Sequence, residues 1–137
     1  MINTEKSASR VRSRDDRRSL LFRRVEESLN GTAEKQAQQI RFVAESVLKR
    51  ADDELLGRHP AEGFYGHVVN ALTAVQARKP GQIMAGCSKP KVATHGYDLP
   101  MFVLETCMAD QPFIVDTVRL LIDSLGATIV DGFTAVV

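Results

Sequence analysis

The chain has 137 residues and a mass of 15.1 kDa, which is enough for one domain or for a small domain with an appendage. Hydrophobic residues make up 44% and charged residues 26%, as in globular proteins and unlike disordered ones. The net charge of +1 gives no general attraction to nucleic acid or anionic lipid. No apolar run approaches the ~20 residues of a membrane span, and no secretory signal is recognisable. The composition therefore predicts a soluble, cytoplasmic protein without a membrane partner.

Neither the cysteines nor the histidines form a recognisable metal or disulfide motif. Cys87 and Cys107 are too few for a disulfide framework, so we expect two reduced, partly buried thiols. His59 and His67 stand eight positions apart, which does not place two ligands on one helix face. We therefore expect no metal ligands among these residues.

The first 27 residues are basic, with eight Lys or Arg against five acids. Residues 1–14 are polar, and we expect them to form a flexible basic tail. A basic arm can contact phosphates, but no aromatic residue precedes Phe22 to stack on bases. A solvated helix start is thus favoured, and nucleic acid is not expected as a partner; a nucleic-acid adaptor is the weaker alternative.

Residues 15–80 show helical periodicity in three segments. The first helix is capped by Asp15 or Asp16 and ends at Asn30-Gly31, and its apolar residues are Leu21, Val25 and Leu29. The second begins at Thr32 and ends at Gly57 and Pro60, with an apolar face of Ile40, Val43, Ala44, Val47, Leu48, Ala51 and Leu55. The third covers residues 61–77, with Phe64, Val68, Ala71, Leu72 and Val75 facing inward. The short first connection favours an antiparallel helical hairpin.

Residues 81–137 change to a strand pattern after Pro80-Gly81. Residues 82–87 and 101–108 are predicted strands, separated by a turn-rich loop. Residues 113–125 return to helical spacing, Gly126 ends that helix, and residues 127–137 are a further predicted strand. A strand, a helix and a strand in this order predict a right-handed βαβ unit with parallel strands. The fold class is therefore α+β, a helical hairpin or bundle followed by a βαβ unit.

The last predicted strand ends on apolar Ala135, Val136 and Val137 without a cap. A parallel strand of this kind is normally covered on both faces, and proteins avoid exposing such an edge. We therefore expect either a chain that continues beyond this point or self-association through the uncovered strand.

The segment from Ala51 to Val137 resembles the N-terminal region of the large NAD-dependent glutamate dehydrogenases of bacteria. The most specific part is residues 105–118, ETCMADQPFIVDTV, in which a strand runs into an Asp-x-Pro-Phe turn and a helix. Weaker matches are Asp-Glu-Leu-Leu-Gly-Arg at 53–58, Phe-Tyr-Gly-His at 64–67, and residues 78–81. The resemblance implies a helical segment followed by ACT-like modules, so the βαβ unit would be a partial ferredoxin-like, ACT-like module.

The resemblance also implies a regulatory or assembly segment, whose partners are downstream domains of the same polypeptide. The dehydrogenase machinery and its NAD would lie in the parent enzyme, and no cofactor is expected in this chain. The residues agree, because the strand-to-helix turn lacks the glycines that let a backbone approach a pyrophosphate. We therefore expect this chain alone not to oxidise glutamate. The alternative is a free-standing ACT-like module that senses an amino acid or dimerises.

The candidate effector or docking turn consists of Asp110, Gln111, Pro112 and Phe113, with Asp116 one turn into the helix. ACT modules of the resembled kind bind amino acids at this turn, where free N–H groups suit a carboxylate. Binders usually have glycine where this chain has Phe113, so the ring is expected to plug the site or to dock another module. A capped helix start is the plainest interpretation, with Asp110 as the N-cap and Pro112 in the first turn.

Overall fold

The computed structural model describes residues 4–51, 61–91, 101–130, 132 and 134–137, with no side-chain description for residues 4–14, 61 and 62. Four helices and two strands lie in these residues. In chain order they are α1 (Thr4–Ser28), α2 (Glu34–Arg50), α3 (Ala61–Ala77), β1 (Met84–Ser88), β2 (Val103–Cys107) and α4 (Ile114–Ser124). The predicted α+β class is confirmed, with the helical segment first and the sheet after it.

The hydrophobic core lies among α1, α2 and α3, which contact one another in pairs. Its residues follow the three- and four-residue spacings of amphipathic helices. They are Leu21, Val25, Leu29, Ala37, Ile40, Val43, Ala44, Val47, Leu48, Ala51, Phe64, Val68 and Leu72. Ala135, near the end of the chain, packs against this core as well. The predicted inward faces of the three helices are thus confirmed where they are described, except that Val75 is exposed. Leu55, predicted on the face of the second helix, lies outside the described residues.

Two polar contacts show that α1 and α2 are antiparallel. The guanidinium Nη2 of Arg18 donates to the carbonyl oxygen of Ala51 at 3.1 Å, and Nε of Arg41 lies 2.7 Å from Oε1 of Glu26. A later position on α2 therefore meets an earlier position on α1, which confirms the predicted hairpin. Gly31 in the connection has φ of 80°, a conformation that glycine adopts without steric cost.

Arg41 makes a second ion pair within α2, because its Nη1 lies 3.4 Å from Oε1 of Glu34 at the start of that helix. The hydrogen bond to Glu26 raises the pKa of Arg41 above its ordinary value, and the charges of both carboxylates act in the same direction.

Two helix boundaries differ from the prediction. Helix α1 begins at Thr4, so residues 4–14 are helical where a flexible tail was expected. No glycine or proline interrupts this stretch, so the helix can extend by one hydrogen bond per residue. Helix α2 ends at Arg50, before the predicted end, and Ala51 is extended. The acidic residues that follow in the sequence oppose the negative end of a helix dipole. The predicted stop at Gly57 and Pro60, like His59, lies outside the described residues.

The described sheet has two antiparallel strands. Met84 pairs with Cys107 and Ser88 with Val103, so Met84, Gly86, Ser88, Val103, Glu105 and Cys107 share one face. Only the ends of that face are partly covered, and β2 contacts α3. The opposite face is formed by Ala85, Cys87, Leu104 and Thr106, and all four are exposed.

The predicted parallel βαβ pairing is wrong for the part of the chain that the structure describes. Residues 127–130, 132 and 134–137 are irregular, whereas a strand was expected there. The pairing that forms instead joins β1 to β2, which both precede the helix. An antiparallel pair of this kind needs no crossover helix, so α4 is not required to place its strands.

We predict that core and surface positions of α2 differ sharply in their effect on stability. Ile40 is 1% exposed and Phe42, two residues later, is 56% exposed. Ile40→Ala should lower the free energy of unfolding by about 2–5 kcal/mol because it opens a cavity in the core. Phe42→Ala should change it by less than about 1 kcal/mol. Urea unfolding of the dilute chain, followed by far-UV circular dichroism, measures both; equal losses would contradict the assignment of the core.

Candidate functional site

The turn between β2 and α4 has an unusual backbone. Phe113 is the N-cap of α4 and has φ of 65° and ψ of 12°, in the left-handed region. It is the sole non-glycine residue with positive φ within the described ranges. A side chain in this conformation brings Cβ close to its own carbonyl and costs about 1–2 kcal/mol. The turn therefore adopts the conformation that glycine would favour at this position.

The side chains of the turn point to solvent. Asp110, Gln111 and Pro112 are exposed, and the ring of Phe113 is 76% exposed. Nε2 of Gln111 lies 3.9 Å from the sulfur of Met108, a weak contact along the turn. The structure thus brings the four predicted turn residues together at the surface, and Phe113 does not fill a cavity in the described core.

The predicted roles of Asp110 and Pro112 in capping the helix are wrong. The N-cap is Phe113, and no side chain makes a capping hydrogen bond there. Pro112 precedes the N-cap, so it lies outside the first helical turn where it was expected. The first intrahelical bond runs from the N–H of Thr117 to the carbonyl of Phe113 at 2.9 Å. The chain thus enters α4 through Phe113, whose backbone is left-handed.

Asp116 lies in the first turn of α4 and is exposed. An acidic side chain at this position is favourable, because it lies near the positive end of the helix dipole. No ion pair joins it to Arg119 within the part of the chain that the structure describes. The free N–H groups at the start of α4 can bind an anion, but Asp110 and Asp116 lower the local potential.

Exposed apolar side chains are numerous in the strands, the turn and α4. Helix α4 contains no buried residue, in contrast to α2, which buries six. We call the following exposed apolar side chains, which lie between residues 83 and 125 of the sequence, the sheet–helix surface. They are Ile83, Met101, Phe102, Leu104, Phe113, Val115, Leu121 and Leu125. Soluble proteins seldom expose so many large apolar groups unless a partner covers them.

Sequence reasoning missed most of this surface. Phe102 and Ile83 sit at strand ends, where periodicity does not distinguish a covered face from an open one. Leu120 is also exposed, and it lies outside the apolar stripe of α4 formed by Ile114, Val118, Leu121 and Leu125. Because Leu120 departs from the helical spacing of that stripe, the sequence alone indicates that it does not face the same way as the other apolar residues of α4.

The remaining chemical groups are dispersed. Cys87 and Cys107 are free thiols on opposite faces of the sheet, the first exposed and the second partly buried. His67 is buried in α3. Across the described ranges, His, Cys, Asp and Glu do not gather in groups of three that suit a metal ion. The described helices include none with the length and apolarity needed to cross a bilayer.

The comparison with protein families decides the classification. The family model "glutamate dehydrogenase, ACT1 domain" matches residues 42–137, from the middle of α2 to Val137. The chain belongs to the glutamate dehydrogenase ACT1 domain family. No curated protein and no solved structure matches the chain.

The ACT1 match covers the second half of α2, α3, both strands and α4. It confirms the resemblance to the N-terminal region of a glutamate dehydrogenase and indicates a regulatory segment of that enzyme. The turn at Asp110–Phe113 and the whole sheet–helix surface lie inside the matched region. Helix α1 and the start of α2 precede it.

We predict that Phe113 contributes strain and not core packing. Phe113→Ala should lower the free energy of unfolding by less than about 1 kcal/mol, because the ring is exposed. Phe113→Gly should be more stable than Phe113→Ala by about 1 kcal/mol, because glycine relieves the left-handed strain. Urea unfolding of the three proteins checks both. A loss of about 3–5 kcal/mol in Phe113→Ala would instead show that the ring is buried.

Proposed function

We propose that this chain is a non-catalytic regulatory and assembly segment of an NAD-specific glutamate dehydrogenase. The parent enzyme would oxidise L-glutamate to 2-oxoglutarate with NAD in domains outside this chain. The observation that carries the proposal is the exposure of the sheet–helix surface: all of its apolar groups are exposed, and all of them lie in the matched ACT1 region. A segment that works by packing against the rest of an enzyme needs such a surface.

The residues of this segment do not fit a dinucleotide. A dinucleotide site requires glycines in a strand-to-helix turn so that the backbone can approach the pyrophosphate. The turn from β2 to α4 reads Met-Ala-Asp-Gln-Pro-Phe at 108–113. It carries side chains at every position, and two of them are Asp110 and Phe113. We therefore assign the binding of NAD to other domains of the parent enzyme.

The turn is proposed as a docking turn for downstream domains of the same polypeptide. The ring of Phe113 is exposed, and Phe102 and Leu104 are exposed as well. Large aromatic groups of this kind are the usual anchors of protein interfaces. An amino-acid effector at the helix start is the alternative occupant, with Asp110, Gln111 and Asp116 beside it.

Cytoplasmic localisation belongs to the same proposal. It is supported by Cys87 and Cys107, which are free thiols, as is usual where the compartment is reducing. The partners are the remaining domains of the enzyme and a second copy of the segment, and neither nucleic acid nor a membrane is among them.

The first experiment measures the mass of the endogenous protein with an antibody against this segment. A band several times heavier than 15.1 kDa is expected, because the chemistry would lie elsewhere in the polypeptide. The isolated chain should then give no glutamate-dependent formation of NADH, and the heavy protein should prefer NAD to NADP. A band at 15.1 kDa, or turnover by the isolated chain, would overturn the proposal.

The docking turn is tested in the full-length enzyme by Phe113→Asp. We expect loss of activity or of subunit assembly, because a charge would replace an apolar anchor at an interface. The matched control is Gln36→Asp, which adds the same charge at an exposed position of α2 outside the matched region. Wild-type behaviour of both variants would refute docking by Phe113. An amino acid that raises the melting temperature of the wild type and not of Phe113→Asp would favour the effector alternative.

A further inference from the structure

One exposed stripe of α4 is distinct from the sheet–helix surface. Asp116, Leu120 and Asp123 are spaced by four and three residues, which places them on one side of the helix, away from its apolar stripe. All three are exposed, and Leu120 is 70% exposed. The stripe is a single apolar group between two carboxylates, and neither carboxylate has an ion pair within the described residues.

Helix α2 carries a stripe of the opposite charge. Lys35, Phe42 and Lys49 are separated by seven residues each, or two helical turns, so they share one side of the helix. The core residues of α2 lie on its other side. All three members of the stripe are exposed, and neither lysine takes part in an ion pair in the described part of the chain. This stripe is a single aromatic ring between two ammonium groups.

We propose that the two stripes are the two halves of one interface between copies of this chain. Leu120 of one copy would pack on Phe42 of the other, with Asp116 and Asp123 facing Lys35 and Lys49. The inference rests on the proposed assembly function and deepens it by naming the partner and the surface. It does not use Phe113 or the sheet–helix surface, which remain for the rest of the enzyme.

The dimensions of the stripes are compatible. At about 1.5 Å per residue, the backbones of Asp116 and Asp123 lie about 6 Å and about 4.5 Å along the axis from that of Leu120. The lysine backbones lie about 10 Å on either side of Phe42. The flexible four-carbon stem of lysine spans that difference while its methylene groups cover the ring. Arg119 beside the α4 stripe and Glu45 beside the α2 stripe add a further pair of opposite charge.

The partner is inferred to be a second copy because both complementary stripes belong to this chain. The six side chains are exposed within one copy, so the stripes do not cover each other there. In a two-fold dimer, α4 of each copy meets α2 of the other, so the contact forms twice and the assembly closes. The charge of the whole chain is distributed in the same way, with a basic N-terminal part that contains α2 and an acidic C-terminal part that contains α4. Residues 1–50 carry twelve Lys or Arg against seven acids, and residues 101–137 carry five acids against Arg119 alone.

The experiment measures the molar mass of the full 137-residue chain by light scattering and sedimentation over a concentration series. We expect a dimer whose dissociation constant rises with salt, because its two contacts together contain four Asp–Lys pairs and two Arg119–Glu45 pairs. Leu120→Ser should weaken the dimer at least about tenfold. Val130→Ser, a control at an exposed apolar position outside both stripes and outside the sheet–helix surface, should not. Circular dichroism checks that each variant is folded.

A charge exchange gives the sharpest test. The double variant Asp116→Lys with Asp123→Lys should be monomeric, and so should Lys35→Glu with Lys49→Glu, because each places like charges opposite one another. Mixed in equal amounts, the two variants should form a heterodimer, since one contact is then wild-type and the other has both signs reversed.

Three outcomes would overturn the interface: a wild-type chain that is monomeric up to its highest soluble concentration, a dimer insensitive to Leu120→Ser, or a mixture that stays monomeric. None of them affects the docking of Phe113 in the full-length enzyme. Conversely, wild-type behaviour of Phe113→Asp in the full-length enzyme would not change the molar mass measured for the isolated chain. The two proposals can therefore fail independently.

Discussion

The three-helix core is the constraint on which the rest of the structure depends. Every buried apolar side chain of the described residues belongs to α1, α2 or α3 or directly follows α2, apart from Pro90 after β1. The sheet and α4 contribute no member to that core, and β2 reaches the helices through α3. Since burial of apolar area is the dominant stabilising term, the helices can hold their own packing, whereas the sheet and α4 rely on the helices and on what covers them.

This division distinguishes α1, α2 and α3, whose apolar side chains stabilise the fold, from β1, β2 and α4, whose exposed side chains are available to contact a partner. Arg41 and Arg18 use their charges inside the helical hairpin, where each joins α1 to α2 or to the residue that follows it. Around β1, β2 and α4 the carboxylates have no such partners in the described chain, and large apolar groups stand beside them. A regulatory segment transmits its state through surfaces of this kind, because a partner must be able to gain free energy by covering them.

The sequence predicted the helical half well and the other half only in part. Residues 61–77 form a helix with the predicted bounds, because three- and four-residue spacing and the flanking Gly and Pro agree on the same helix. The two strands before α4 were also located correctly. The parallel pairing expected between the second of them and residues 127–137 is not observed in the described residues, since strand pairing depends on contacts distant in sequence, which periodicity does not encode.

The turn illustrates a second limit. Its position followed from the Asp-x-Pro-Phe motif, but the left-handed backbone of Phe113 did not, because phenylalanine disfavours that conformation. The backbone preference of phenylalanine and the observed φ and ψ of Phe113 disagree, and such disagreements are commonest at sites where proteins bind a ligand or partner. The α2 and α4 stripes were visible in the residue spacing, yet only the observed exposure of Leu120 and Phe42 separates them from ordinary core positions.

The placement of the two cysteines has a consequence for handling and labelling the protein. Cys87 pairs across the sheet with Leu104 and Cys107 with Met84, so the thiols face away from each other. An internal disulfide would require the strands to separate, and oxidation would therefore join different molecules through the exposed Cys87 first. The same arrangement supplies two natural attachment points for a thiol-reactive probe. A fluorophore at Cys87 would report on the open face of the sheet, and slower labelling at Cys107 would report on how often the partly covered face opens.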